Sequence, residues 1–142
     1  MNICTNFNVI ITEIFSIIIR LFKREREGEM KIVDYKEVKA EPVDFEEVKD
    51  VKVRWLISDK DNAPNFAMRL FEVGPGGYSP LHTHSWEHEV FILEGEGVAT
   101  DGKKEAPIKS GTVVYVAPEE KHQFKNTGSE TLKFLCLIPI KK

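Results

Sequence analysis

Beyond residue 30 the apolar positions of this chain come in short runs, several alternating with polar ones, and each run closes on turn-forming residues. The pattern predicts strands over 31–38, 51–57, 65–73, 78–84, 88–94, 98–100, 112–116, 121–125 and 132–138. Gly74-Pro75-Gly76-Gly77 reads as a strong breaker, and Gly95-Glu96-Gly97 and Asp101-Gly102 as tight turns. The acidic stretch 42–50 reads as a loop or a single helical turn. No stretch carries a long helical period. Many short strands with such punctuation predict an all-β fold, a single-domain β-barrel or sandwich of jelly-roll type over residues 30–142.

Residues 1–29 break the pattern. Ile, Asn and Phe dominate the first 22, and six of the seven residues from 23 to 29 are charged. The apolar run 9–22 carries Glu13 and Arg20 and falls short of the ~20 residues a spanning helix needs. A secretory signal puts its positive charges first, whereas Lys23, Arg24 and Arg26 follow the apolar run. Ile11, Ile14, Ile18 and Leu21 share a helical face, as in a membrane-surface helix, but Ile10, Phe15, Ile17 and Ile19 spread apolarity around it. Ile, Asn, Phe and Lys have AT-rich codons, and Lys, Glu, Arg and Gly codons can be almost purely purine, as in an untranslated leader ending in a ribosome-binding site. The expectation is an extension outside the fold, with Met30 the true start.

Composition narrows the partners. At 142 residues the chain can bury one core without disulfide staples. A net charge of -3 and the lack of a basic stripe argue against nucleic-acid and anionic-membrane partners. Cys4 and Cys136, with no CxxC spacing, make no disulfide framework and suit a reducing cytoplasm.

All four histidines fall in two windows, 82–88 and 122. On a strand, His82 and His84 point to one face, where one metal can take both. His88 follows the short turn Ser85-Trp86-Glu87, and His122 follows Ala117-Pro118-Glu119-Glu120. A lone histidine is more often structural than a ligand, but this concentration points to a metal. Four neutral imidazoles leave a divalent ion its full charge, and they suit Zn, Cu, Fe and Ni; a closed structural zinc site is the competing reading. Phe124 alternates with His122 and should face the same cavity, as ligand wall or as plain core. Arg69 lies mid-strand, either inward, where it can hold a substrate carboxylate, or outward in solvent. Cys136 shares a face with Phe134 and Ile138, taken as the inward one, where activated dioxygen could oxidise it. Trp86 is placed at the cavity mouth or on a contact rim.

These windows resemble the two motifs of the cupin superfamily. Gly76-x5-His82-x-His84-x3-His88-x6-Gly95 is similar to the first, and Gly111-x5-Ala117-x-Glu119-x2-His122-x3-Asn126 to the second. The likeness runs from Asn62 to the C-terminus. It is close to the small manganese-binding cupins with four histidines, which share the HxHxWEHEVFxLEG window and an ending like Phe134-Leu135-Cys136-Leu137-Ile138-Pro139. The resemblance implies a jelly-roll barrel, His82, His84, His88 and His122 as ligands, and manganese as the metal. Two positions depart from the family pattern. His88 stands where the family's usual Glu ligand lies, six residues before Gly95; its neighbour Glu89 has a rival claim through its spacing from His84. Ala117 and Glu119 replace the usual Pro and Gly, so that turn is expected to be made differently, around Pro118.

The function expected is a metal-dependent oxidoreductase of dioxygenase type acting on a small organic substrate, with Phe124, Cys136 and Arg69 shaping the pocket. The alternatives are a non-enzymatic small-ligand or metal-binding module, and a metal-dependent isomerase or lyase, which would need a proton-transfer residue that the sequence does not offer. A cytoplasmic homodimer is expected.

Overall fold

Alternating inward and outward side chains on antiparallel strands build one interior, and the computed structural model describes it over residues 30–140. The extension 1–29, the start at Met30 and Cys4 therefore lie outside the described residues. Nine strands follow in order: β1 Glu41–Pro42, β2 Lys49–Ile57, β3 Phe66–Tyr78, β4 His88–Glu94, β5 Glu96–Thr100, β6 Glu105–Lys109, β7 Val113–Val116, β8 Gln123–Asn126 and β9 Leu132–Pro139. Hydrogen bonding orders them β6-β5-β8-β3-β9-β4-β7, with β2 paired to β3 and β1 to β2, so the sheet curls into the all-β jelly-roll barrel expected.

The inward residues explain why it curls. On β4, His88, Val90 and Ile92 are buried, while Glu89, Phe91 and Leu93 face out. On β9, Leu132, Phe134 and Cys136 are buried, so Cys136 does point inward. Phe124 on β8 joins them, and its ring packs 4.9 Å from that of Phe134. Removing such a side chain costs its transfer energy plus the cavity left behind, typically 2–5 kcal/mol for Ile→Ala. Ile92, with no exposed surface, sits where that cost is fully felt.

Several boundaries differ from the sequence pattern. Residues 31–38 form no strand; Asp34 caps a 3-10 turn, Tyr35–Glu37, by accepting the Lys36 N–H at 2.8 Å. The glycine run does not break β3, which continues through it to Tyr78. A bulge in β2 at Asp50 brings the two backbones close: a Cβ on Gly77 would meet the Lys49 carbonyl at 2.7 Å, and one on Gly74 would displace the Asp50 carboxylate. The strand expected over 78–84 stops at Tyr78, and His82 rejoins the sheet only as an isolated bridge to His122. β6 was not anticipated, because Pro107 lies at its centre; it survives as the edge of the sheet order, where a missing N–H is tolerated. Gly95, between β4 and β5, has φ +79, and a Cβ there would meet the Thr131 carbonyl at 2.7 Å.

The turn before His122 is made around Pro118, as expected: Pro118 and Glu119 are its central residues, and the Glu120 N–H closes it on the Ala117 carbonyl at 3.1 Å. Glu119 there adopts the left-handed conformation, φ 64, which a glycine would take freely. Its N–H donates to the His84 carbonyl at 2.8 Å, which fixes the two histidine segments together. A left-handed non-glycine residue costs roughly 1–2 kcal/mol, partly offset by the lower chain entropy of the unfolded state. Glu119→Gly should therefore raise the free energy of unfolding by about 1 kcal/mol in urea titration. A loss of stability would show that the Glu119 side chain contributes more than its backbone costs.

Candidate metal centre

Three short segments bring the four histidines to one end of the barrel. His82 and His122 face each other across a two-bond bridge, N–H to carbonyl at 3.2 and 3.0 Å. His84 lies two residues on from His82, held by the Glu119 N–H. His88 opens β4, opposite Val116 of β7. All four rings offer a nitrogen, and these atoms lie within 4.8 Å of one another.

Hydrogen bonds fix which nitrogen each ring offers. Nδ1 of His82 lies 3.0 Å from the Pro80 carbonyl, Nδ1 of His84 2.6 Å from that of Trp86, and Nδ1 of His122 2.9 Å from that of Glu120. A carbonyl oxygen only accepts, so each Nδ1 carries the proton and each Nε2 presents a bare lone pair. The Nε2 of His122 is buried and has no hydrogen-bond partner, and the Nε2 atoms of His84 and His88 stand 2.6 Å apart. Lone pairs converging in a buried site repel one another unless a cation or a proton lies between them. The donor set therefore fits a divalent metal ion.

Burial favours the neutral form, the one that binds metal, in three of the rings. Burial, then the Arg69 charge and the neighbouring histidines, push the pKa of His88 down to about 2. Burial likewise lowers His122 to about 4, against the opposing carbonyl of Glu120, and it lowers His84 as well.

His88 differs from the other three. Its Nδ1 faces the Cys136 thiol at 3.4 Å, and Cys136 also accepts a hydrogen bond from Arg69 Nη2 at 3.0 Å. For His88 to offer a bare Nε2, Nδ1 must donate to sulfur, so Cys136 then accepts from both neighbours. Burial raises the Cys136 pKa, with Arg69 pulling the other way.

A cavity of about 240 Å³ opens beside the rings. Arg69, Phe71, Phe124, Phe134 and Cys136 line it together with the four histidines, so the three pocket residues anticipated, Phe124, Cys136 and Arg69, do come together there. Trp86 also lines it, and its ring lies flat on His84, 4.2 Å away and 5° from parallel. Glu89 is exposed, and with Glu87 it borders a separate surface groove beside Leu137. The sequence placed Phe134 on the inward face with Cys136 but left Phe71 unnamed, although its alternation with Arg69 carried the signal. It also missed the mouth residues Val43, Asp44 and Phe45, which lie in a stretch with no period.

The Cupin domain family matches residues 69–138. An oxalate-binding protein of Thermotoga maritima is 41% identical over 93 residues, which are 63% of this chain and 75% of that one. A 1-methylthio-D-xylulose 5-phosphate methylsulfurylase of Rhodospirillum rubrum is 39% identical over 71 residues, 50% of this chain and 46% of its own. Among solved structures, a polyketide cyclase of Streptomyces resistomycificus superposes with a TM-score of 0.75 at 34% identity, covering 80% of this chain and 81% of that one.

The lowered histidine pKa values give the metal-free protein a defined pH response. Unfolded histidines protonate near the ordinary value of ~6.5, whereas His88 and His122 stay neutral in the fold until far lower pH. The unfolded state therefore binds more protons below that value, and stability falls as pH drops from about 6.5 toward 4. Urea midpoints of metal-free protein should decline across that window, and His88→Gln should flatten the decline. An equal slope in the variant would remove His88 from the explanation.

Proposed function

Since the chain belongs to the cupin superfamily, we propose that it is a metal-dependent oxidoreductase of dioxygenase type, with His82, His84, His88 and His122 holding a divalent ion beside a small-substrate cavity. The observation that carries this is the convergence of four ring nitrogens, with the tautomers of His82, His84 and His122 fixed by backbone carbonyls and the Nε2 of His122 buried without a partner. Such an ion supplies Lewis acidity and, when redox-active, electron exchange with dioxygen. Manganese follows from the family resemblance; Fe, Zn, Ni and Cu satisfy the same donors, and metal analysis of untagged protein decides among them.

The residues around the rings favour redox over proton-transfer chemistry. Among the described residues no Lys, Tyr or Glu lines the cavity, and its single carboxylate, Asp44, is exposed at the mouth. An isomerase or lyase needs a proton carrier within hydrogen-bond reach of the substrate. The aromatic walls instead exclude water and confine a small ligand beside the rings. The same lack of acid–base groups suits a second reading, a non-enzymatic ligand-binding module, in line with the oxalate-binding relative.

The outer face of β4 and β7 exposes Phe91, Val113 and Tyr115, with Phe91 and Val113 paired across the strands. This apolar strip supports the expected homodimer. Among the described residues no helix is long and apolar enough to cross a membrane, and the unpaired Cys136 suits a reducing cytoplasm.

Two experiments test the reading. Oxygen uptake by protein loaded with Mn or Fe, screened with diketones, catechols and alkenes, should detect turnover; none with any redox metal would leave the binding module. His88→Ala should strip most of the metal, measured by elemental analysis after dialysis, while Glu89→Ala keeps it. The reverse result would make the centre a three-His, one-Glu site.

A further inference from the structure

The geometry points to a small organic anion as the cavity's ligand, with its carboxylate held by Arg69 and its remaining oxygen turned toward the four histidines. The second half of this statement rests on the metal reading above; the first half stands on Arg69 alone.

Among the described residues Arg69 pairs with no carboxylate. It lies on the inner face of β3, directly across from Cys136 on β9. Its guanidinium is set between aromatic rings, 5.5 Å from Trp55 and 5.0 Å from Phe71. Of its five N–H donors, one reaches Cys136, and Nε is buried with no partner. Arg54, on the neighbouring strand β2, shows what a structural arginine does in this barrel. It pairs with Glu72 at 3.2 Å and also donates to the carbonyls of Lys36 and Val38. A buried charge that lacks such partners is costly, and the cost is recovered when a ligand brings the missing anion.

Charge counting leads to the same ligand. An imidazole, neutral or protonated, carries no negative charge to offset Arg69, and Asp44 sits out at the mouth. A metal ion at the rings would add further positive charge. An anion is what balances such a cavity, and a planar carboxylate matches the edge of a guanidinium.

The walls argue against a sugar phosphate. Hydroxyl-rich ligands need several polar partners, but Ser79 supplies the one side-chain hydroxyl among the described lining residues, and most of the remaining wall is aromatic. A phosphate needs more donors than one guanidinium, and no Lys lines the cavity among the described residues. The volume of about 240 Å³ also lies below the roughly 300–1,000 Å³ of drug-sized pockets, which favours a ligand of few heavy atoms.

Calorimetric titration of the metal-loaded protein with oxalate, pyruvate, neutral oxamide and glucose 6-phosphate tests this, with metal content measured before and after. Oxalate or pyruvate should bind, and Arg69→Met should weaken that binding about 10- to 100-fold, the scale of a charge-assisted hydrogen bond, without loss of metal. Arg69→Lys should fall between the two, and any weak binding of oxamide should be unaffected by either substitution. Equal carboxylate affinity in wild type and Arg69→Met overturns the proposal, as does tighter binding of glucose 6-phosphate than of either carboxylate. If the wild type holds no metal, the metal reading fails. The metal-free protein then still judges Arg69, because pyruvate should bind it weakly and Arg69→Met should abolish that binding. If Arg69→Met does not fold, the judgement passes to Arg69→Lys and to salt: carboxylate binding by wild type that does not weaken with added sodium chloride counts against the anchor.

Discussion

The carbonyl oxygens of Pro80, Trp86 and Glu120 each take the Nδ1 proton of a histidine, and in doing so they decide what this end of the barrel can hold. An imidazole in water exchanges tautomers freely. Here the backbone removes that freedom, and three Nε2 lone pairs are directed to a common point before any ligand arrives. The carbonyls can do this because their positions are themselves fixed. Pro80 and Glu120 lie just outside the His82–His122 bridge, and the His84 carbonyl is tied to the left-handed turn at Glu119. Backbone strain at Glu119 therefore belongs to the same arrangement as the tautomers.

The barrel interior supplies the other half of the constraint. Val90, Ile92, Phe124 and Phe134 close the space beneath the rings, and this apolar floor is why His88 and His122 shed their protons so readily. Burial that costs a charged imidazole dearly costs a neutral, metal-competent one much less. Packing and metal affinity thus pull in the same direction, because burial keeps these two rings neutral well below the ordinary histidine pKa.

Much of this was legible in the sequence. Period-two alternation placed His88, Val90 and Ile92 inward and Glu89 outward, and it put Cys136 beside Phe134. The gathering of every histidine into two windows pointed to the site. The losses came where backbone conformation overrides composition. Gly74 looked like a break because its partner in space, the Asp50 bulge, lies far off in the chain. Residues 82–84 looked like a strand, yet Pro80 cannot donate to the sheet and the ladder stops at Tyr78. Glu119 takes a glycine's conformation, which no propensity reveals. For Arg69 the period left the inward and outward faces equally open, and only the register against Cys136 resolves it.

Cys136 joins the parts of the site that are otherwise separate. Its sulfur touches both the guanidinium of Arg69 and the Nδ1 edge of His88. With a metal at Nε2, the sulfur must accept from both sides; without one, its own proton can turn toward His88 and reverse that ring's tautomer. His88 is thus the one ring whose readiness to bind depends on a side chain rather than a carbonyl. Anything that draws Arg69 away from the sulfur, an anion included, changes how firmly the sulfur accepts the His88 proton. Coupling between two sites is reciprocal by thermodynamic necessity, so an occupant of the Arg69 end and an occupant of the histidine end must each alter the affinity for the other by the same factor.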